Sequence, residues 1–252
     1  MKKMLINPIF QRLALLTGAN VMEALSKTNV IIFGVGGVGS WCAEALVRSG
    51  IGKITIVDAD VVCATNLNRQ LQATQATIGE IKVVSLKKRL LEINPECCIT
   101  IFEKIFCKET CQEFGIENAD YVIDAIDSLI HKVELIEYAY QNSKTIFSSM
   151  GMAQKLDPTQ IKIGDIWETK SCPLARIVRQ ELRKRNFTGN FKTVYSEESI
   201  PNDKDLYNMY PETTHNLFNK TINGSAVTVT ATAGMILASL VIQDMYHKHK
   251  KE

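Results

Sequence analysis

Six consecutive residues, GVGGVG at positions 34–39, form the chain's most distinctive chemical pattern. The apolar run 30–33 precedes them, which suits a buried parallel strand, and a helical pattern follows. Glycines let a backbone approach a phosphate closely, and a helix N-terminus offers unpaired N–H groups with partial positive charge. The pattern therefore predicts a nucleotide site. Its predicted contact residues are Gly34, Gly36, Gly37, Val38 and Gly39.

An acidic residue closes the next predicted strand. Residues 54–57 form that strand, and Asp58 ends it, so its carboxylate is placed to accept hydrogen bonds from ribose hydroxyls. Asp60 follows one residue later and is included in the predicted nucleotide site. An NAD-dependent oxidoreductase would share the glycines and Asp58, so these features alone leave that alternative open.

Two cations after this acid favour ATP over a dinucleotide. A polar stretch runs on to Asn66, Arg69 and Gln70, and Lys82 lies in the helix predicted at 79–91. A dinucleotide does not require an arginine and a lysine here, whereas a triphosphate does. Long connecting segments without regular secondary structure also often have a functional role. These residues therefore predict an ATP site.

The elements that must position these side chains alternate along the sequence. Further strands are predicted at 98–102, 121–126, 144–149 and 161–166, with helices at 108–114 and 128–141. This order predicts a doubly wound, mostly parallel α/β sheet of the Rossmann type, with a helical N-terminal arm and a C-terminal extension. Open parallel sheets bind ligands at the carboxyl ends of their strands, and Asp127 follows such a strand. Asp127 is also placed to cap the helix that begins after it.

The order of motifs resembles one enzyme family. The chain contains GVGGVGS, DAD, TNLNRQ, GEIK and DAID in succession. These motifs are similar to those of the ThiF-type adenylating superfamily, which includes the ubiquitin-activating enzymes and the bacterial activators of molybdopterin and thiamine biosynthesis. Ser40-Trp41, Lys132 and the stretches 93–97 and 156–159 resemble the tRNA threonylcarbamoyladenosine dehydratase branch. The resemblance covers nearly the whole chain and thins after Lys192.

The resemblance implies an ATP-dependent enzyme that adenylates a carboxylate. In the dehydratase branch that carboxylate belongs to threonylcarbamoyladenosine next to the tRNA anticodon, and ring closure then expels AMP. The resemblance also implies that Asn66, Arg69, Gln70 and Lys82 line the phosphate site. Asp127 would hold Mg²⁺, a hard cation that prefers carboxylate oxygen. The requirement for a monovalent cation in addition to Mg²⁺ stays open.

The implied partners are tRNA and a second copy of the chain. Arg12 stands where superfamily members place an arginine that reaches the partner subunit's ATP, and a solvated surface arginine is the alternative. The residues at 7–28 form an apolar helical arm, which favours a homodimer. Activation of a ubiquitin-like sulfur-carrier protein, with a cysteine desulfurase or sulfur-acceptor system as partner, is the alternative function.

Composition agrees with one large α/β enzyme. The chain has 252 residues, 46% of them hydrophobic, and a net charge of only +2, so any tRNA contact must come from a local patch. Seven cysteines make an odd count without paired C-x-x-C motifs, so we expect neither a disulfide framework nor a zinc site. The N-terminus lacks an uninterrupted apolar core, so we expect no signal peptide and a cytoplasmic location.

The elements predicted to contact the substrate lie in the C-terminal third of the chain. We divide the chain into an arm (1–28), an ATP-binding domain (29–170) and a substrate side (171–252). A basic helix at 174–185 is the candidate tRNA contact, with Cys172 partly exposed before it. Residues 188–224 are expected to form a mobile loop over the substrate. The apolar segment 225–246 is expected to pack on the sheet and not to span a membrane.

Overall fold

Short strands rich in β-branched residues form a single sheet in the computed structural model, which describes residues 7–203 and 223–250. Within those ranges the sheet has seven strands. They are β1 (Asn29–Phe33), β2 (Lys53–Val57), β3 (Cys98–Phe102), β4 (Tyr121–Asp124), β5 (Thr145–Ser149), β6 (Ile161–Asp165) and β7 (Lys192–Ser196).

The strand order is β3-β2-β1-β4-β5-β7-β6. All neighbouring strands pair in parallel except β6, which runs antiparallel to β7 at the sheet edge. The residues of β4 and nearly all of β1 are buried, because helices cover both faces of the sheet. The predicted doubly wound, mostly parallel α/β fold is confirmed.

The helices divide between the two faces of the sheet. The helices are α1 (Gln11–Thr17), α2 (Ala19–Lys27), α3 (Gly39–Arg48), α4 (Lys82–Ile93), α5 (Leu129–Gln141), α6 (Pro173–Lys184) and α7 (Val227–His249). One apolar core is built from α2, α3, α4 and α7, and the other from α5 and α6.

Two predicted elements differ from the structure. The helix predicted at 108–114 is a turn followed by a short 3-10 helix, Cys111–Phe114. The Thr110 hydroxyl accepts a hydrogen bond from Cys107 N, and Gly115 adopts a left-handed conformation that ends the segment. The helix predicted from residue 79 begins only at Lys82, because backbone bonds between Val62 and Gly79–Glu80 hold the preceding residues in a loop.

The predicted mobile loop at 188–224 contains a strand. Lys192–Ser196 forms β7, and four of its five residues are buried between β5 and β6. The alternating β-branched and aromatic residues of KTVYS suit such a position, so the prediction was wrong for this part. Residues 204–222 lie outside the described residues. The sheet also takes strands from both sides of position 170.

The two helices of the N-terminal arm differ in how far their apolar residues are buried. In α2, Val21 and Leu25 are fully buried in the core beside α7. In α1, by contrast, the side chains of Leu15 and Leu16 are 82% and 77% exposed. The arm therefore packs on its own sheet through α2 and presents an apolar surface through α1.

Helix α7 lies against the start of α3. By length and composition it is the one described helix that could cross a membrane, with a mean hydropathy of 1.5 in its most apolar window. Its residues Val229, Ala233, Leu237 and Val241 are fully buried in the protein core. A Cβ atom on Gly234 would lie 2.4 Å from Val38 O and 2.9 Å from Trp41 Cβ. Glycine at this position therefore allows α7 to pack against α3.

We expect Gly234→Ala to destabilise the protein by about 1–3 kcal/mol, because overpacking outweighs the usual helix preference for alanine. Chemical denaturation measures this change. Met235→Ala, at the exposed next position, is the matched control and should stay within about 0.5 kcal/mol of the wild type. An alanine at 234 that stabilises the protein would contradict the packing described here.

Candidate functional site

The candidate site lies where the sheet reverses its winding. Strand β1 pairs with β2 on one side and with β4 on the other, and the chain leaves these strands toward opposite faces. The glycine loop (residues 34–39) follows β1, and the Asp127 turn (residues 125–127) follows β4. Ligands bind at this crevice in open α/β sheets.

Two glycines allow the two loops to meet. Gly34 has a φ of +84°, and a Cβ there would lie 2.7 Å from Ala125 O in the Asp127 turn. A Cβ on Gly39 would lie 1.9 Å from Gly34 O. A side chain at position 34 would therefore force the two loops apart, and one at position 39 would distort the glycine loop itself.

Other residues of the glycine loop leave room for a ligand. The nearest atom to a Cβ built on Gly36 is Gln70 Nε2, at 3.7 Å. Helix α3 begins at Gly39 with Val38 as its N-cap, and no side chain caps it. Backbone N–H groups at this helix start can therefore donate to a phosphate, as the sequence predicted for Gly36, Gly37 and Val38.

Asp58 fixes the start of the glycine loop through hydrogen bonds to its carboxylate. Its carboxylate accepts hydrogen bonds from Val35 N at 2.8 Å and from Asp60 N at 2.9 Å. Burial raises the pKa of Asp58, and the nearby Lys82 ammonium opposes that shift. The remaining lone pairs of this half-buried carboxylate can accept hydroxyl donors.

Gln72 holds the same residue, Val35, through its other backbone group, and sequence reasoning missed it. Its Nε2 donates to Val35 O at 2.9 Å, and the side chain is buried. Val35 is thus hydrogen-bonded through both its N–H and its C=O. No local pattern marks Gln72 in the sequence, because its partner lies 37 residues away.

The polar loop (residues 60–81) folds back on itself, which places Lys82 beside Asp60. Val61 and Ile81 form an isolated antiparallel bridge, and Lys82 N donates to Asp60 O at 3.0 Å. Lys82 Nζ lies 2.7 Å from Asp60 Oδ2; the lysine side chain is 7% exposed and the aspartate 72%. The Lys82 ammonium is therefore almost excluded from solvent and lies close to Asp58 and Asp60.

Arg69 lies between the glycine loop and the Asp127 turn. Its Cγ is 3.3 Å from a Cβ built on Gly37, and its Nη1 donates to Thr65 O and Asn68 Oδ1. Burial lowers the pKa of Arg69, and the charge of Asp127 opposes this. Trp41 Nε1 also donates to Arg69 O at 3.0 Å. The guanidinium is therefore fixed near both loops.

Asn66 and Gln70 are buried in the wall of the site. Asn66 Oδ1 accepts a hydrogen bond from Cys63 N at 3.0 Å, so this oxygen shapes the polar loop. Gln70 Oε1 is buried without a hydrogen-bond partner among the described residues. Gln70 therefore has an unused acceptor next to Gly36.

Asp127 is exposed at the ligand edge. The helix α5 takes Ser128, and not Asp127, as its N-cap. The part of the chain that the structure describes contains no group of three or more His, Cys, Asp or Glu side chains that could hold a metal alone. A Mg²⁺ at Asp127 would therefore take its other ligands from phosphates and water, which suits this cation.

Two predicted positions lie apart from this group. Arg12 is exposed on α1, and Phe10, two residues earlier, packs at Gly50 beyond the far end of α3 from the glycine loop. Cys172 is the N-cap of α6, but it is only 3% exposed. The predicted partial exposure of Cys172 was wrong, because the residue packs in the core beneath α5 and α6.

The basic helix α6 is largely engaged with its own chain. Arg179 bonds to Thr169, Arg183 lies 5.3 Å from the centre of the Trp167 ring, and Arg185 pairs with Glu137. Arg176, in the first turn, is exposed. Most of the predicted phosphate-binding cations on this helix therefore have structural partners.

Comparisons with known proteins agree with this geometry. The sequence matches the ThiF family over residues 10–251. The tRNA threonylcarbamoyladenosine dehydratase of Bacillus subtilis (strain 168) is 42% identical over 190 residues, which are 75% of this chain and 75% of that protein.

Two solved structures are also similar. The Escherichia coli tRNA N6-threonylcarbamoyladenosine dehydratase in complex with ATP has a TM-score of 0.83 and 34% identity, covering 95% of this chain and 94% of that chain. The same enzyme with AMP has a TM-score of 0.84 and 32% identity, covering 98% of both chains. With the family match over nearly the whole sequence, these similarities show that the chain belongs to the ThiF family.

Proposed function

We propose that this protein is an ATP-dependent dehydratase that adenylates the carboxylate of threonylcarbamoyladenosine in tRNA and closes it into a ring. The observation that carries the proposal is the position of Arg69, between the glycine loop and Asp127 at the switch point of the sheet. The relatives named as tRNA threonylcarbamoyladenosine dehydratases, with ATP and AMP bound in the solved structures, support ATP as substrate and AMP as product.

A carboxylate needs activation because it is negatively charged and has no good leaving group. Its oxygen attacks the α-phosphorus of ATP, pyrophosphate leaves, and the acyl carbon then carries AMP as a leaving group. An internal nucleophile of the modification attacks that carbon and expels AMP with the former carboxylate oxygen. The sum is ATP cleavage and the loss of one water from the nucleoside.

The residues of the site supply position and charge for this chemistry. The glycine loop and the N-terminus of α3 donate N–H groups to phosphate oxygens, and Asp58 accepts from the ribose. Gln70 and Asn66 form the wall beside the phosphates. Lys82 and Arg69 neutralise the phosphate charge. For Lys82 this requires an exchange of its Asp60 partner for phosphate oxygen, at little cost because Asp60 faces solvent.

Asp127 is proposed to hold Mg²⁺, which would neutralise charge on the triphosphate and orient it. One exposed carboxylate at this position fits a cation that keeps water and phosphate ligands. Asp127 also lies close enough to Arg69 for their opposite charges to interact.

Two partners complete the proposal. One is tRNA, which would place the enzyme in the cytoplasm; the relatives named as tRNA threonylcarbamoyladenosine dehydratases support this partner over a sulfur-carrier protein. The other is a second copy of the chain, supported by the exposed Leu15 and Leu16 of α1. Arg12, on the same helix, would then reach the partner's ATP.

The direct test incubates the protein with ATP, Mg²⁺ and tRNA that carries threonylcarbamoyladenosine. Mass spectrometry of the digested tRNA should show the nucleoside lighter by one water, with AMP and pyrophosphate formed in equal amounts. A protein that leaves this tRNA unchanged but adenylates a sulfur-carrier protein would contradict the proposal.

Arg69→Ala and Lys82→Ala should each reduce the adenylation rate by about 10²–10³-fold, because each loses a charged contact to the developing phosphate charge. Pyrophosphate exchange measures the rate. Lys27→Ala and Lys88→Ala are the controls, since both cations are more than half exposed and form surface ion pairs. Near-normal rates in Arg69→Ala and Lys82→Ala would rule out their proposed roles.

Asp127→Asn should raise the Mg²⁺ concentration for half-maximal activity by about tenfold or more, because an amide is a weaker ligand than a carboxylate. A magnesium titration at saturating ATP measures this. Glu96→Gln, an exposed residue at the other edge of the sheet, is the control and should not change the titration. An unchanged midpoint in Asp127→Asn would exclude Asp127 as a metal ligand.

Mixed dimers test whether the two chains share their sites. When Arg12→Ala and Lys82→Ala chains are co-expressed, each heterodimer has one intact site if Arg12 acts on the partner's ATP. Random pairing then restores about one quarter of wild-type activity in a C2 dimer. No recovery, full activity of Arg12→Ala alone, or a monomer in sedimentation would contradict shared sites.

A further inference from the structure

A fully buried ion pair lies beneath the Asp127 turn. Asp124 is the last residue of β4, and Lys132 lies in the first turn of α5. Lys132 Nζ is 2.6 Å from Asp124 Oδ2, and both side chains are 0% exposed. The adenylation chemistry above uses neither residue.

The pair connects three elements at the ligand edge of the sheet. Ser148 Oγ donates to Asp124 Oδ2 at 2.5 Å, and Lys132 Nζ donates to Ser149 O at 2.9 Å. Ser148 and Ser149 are the last residues of β5. The carboxyl ends of β4 and β5 and the start of α5 are therefore joined through one carboxylate and one ammonium.

Stability alone does not account for such a pair. Removing two charges from water is costly, and apolar side chains of similar volume often give equal or greater stability. An apolar pair cannot, however, accept a hydrogen bond. Asp124 Oδ1 accepts one from Ile126 N at 3.1 Å, in the middle of the Asp127 turn. A carboxylate at position 124 therefore provides a hydrogen bond to the Asp127 turn that an apolar side chain could not provide.

The turn is held from a second side by the glycine loop. Ala125 N donates to Phe33 O at 2.9 Å, and the close approach of Gly34 to Ala125 O leaves no free space between the loops. Asp127 itself is exposed and lies near Arg69. The backbone before Asp127 is thus fixed, and that backbone sets where its carboxylate lies relative to the glycine loop.

We propose that Asp124 is a positioning residue that holds the Asp127 turn, and through it the Asp127 carboxylate, in place for a metal-bound triphosphate, while Lys132 supplies the counter-charge that a buried carboxylate at position 124 requires. This inference rests on the proposed function for the role of Asp127. Lys132 pairs with the buried Asp124 carboxylate, and Asp124 fixes the N–H of Ile126.

Two double variants separate positioning from stability. Asp124→Asn/Lys132→Met and Asp124→Leu/Lys132→Met both remove the two charges, so neither leaves a buried charge without a partner. Asparagine keeps an acceptor for Ile126 N, whereas leucine does not. Amide hydrogen exchange of Ile126 in the nucleotide-free protein and a Mg²⁺ titration of activity are measured on both.

The leucine variant should exchange the Ile126 amide faster and need more Mg²⁺ at half-maximal rate, each by about tenfold relative to the asparagine variant, as expected for one lost hydrogen bond. The asparagine variant should stay near the wild type in both measurements. Equal Ile126 exchange in the two variants would overturn the inference.

Single variants cover the case in which the leucine variant does not fold. Ser148→Ala removes a donor to Asp124 and should speed Ile126 exchange, whereas Ser149→Ala, whose hydroxyl donates to Met150 O, should not. Equal exchange in these two would also overturn the inference. If Ile126 responds as expected but Asp127→Asn leaves the Mg²⁺ titration unchanged, the metal assignment fails and the turn-positioning role stands.

Discussion

The site depends on a close backbone contact between two loops. Gly34 and Ala125 follow neighbouring parallel strands, and their backbones approach so closely that a Cβ on Gly34 would lie within 2.7 Å of Ala125 O. Because β1 and β4 pair in fixed register, with Phe33 opposite Asp124, the loops leave the sheet at the same level. This contact brings the N–H groups that we propose to bind phosphate and the Asp127 carboxylate to one crevice. A larger residue at position 34 would separate them.

Buried polar side chains then make the crevice rigid. Val35 is held through its N–H by Asp58 and through its C=O by Gln72, and Ile126 is held by Asp124. Fixed donors and acceptors stabilise developing charge well because they need no reorganisation during the reaction. Helix α7, which is far from the glycine loop in the sequence, also packs against that loop, since Gly234 contacts Val38. The site is therefore prepared by hydrogen bonds and packing before a ligand enters.

The sequence predicted those parts of the site that depend on local patterns. The glycine loop and Asp58 were predicted from residue order and spacing, and the segment from Asn66 to Gln70 from its resemblance to ThiF-type enzymes; their roles in binding ATP stay predictions. The roles of Gln72 and Gly234 were not predictable, because their partners lie far away in the chain. The burial of Cys172 was missed for the same reason: its position before a helix suggested exposure, whereas packing between α5 and α6 decides it. Strand β7 was missed because a short alternating run inside a polar region resembles a loop until its neighbours β5 and β6 are known.

In the proposed reaction the protein activates a carboxylate by attaching AMP to it. Transfer of a carboxylate oxygen to AMP is followed with tRNA whose threonylcarbamoyl carboxylate carries a heavy-oxygen label. If the carboxylate attacks the α-phosphorus and AMP leaves during ring closure, one labelled oxygen should be recovered in AMP for each ring formed. Label in inorganic phosphate together with ADP, or ring formation with unlabelled AMP, would contradict the account.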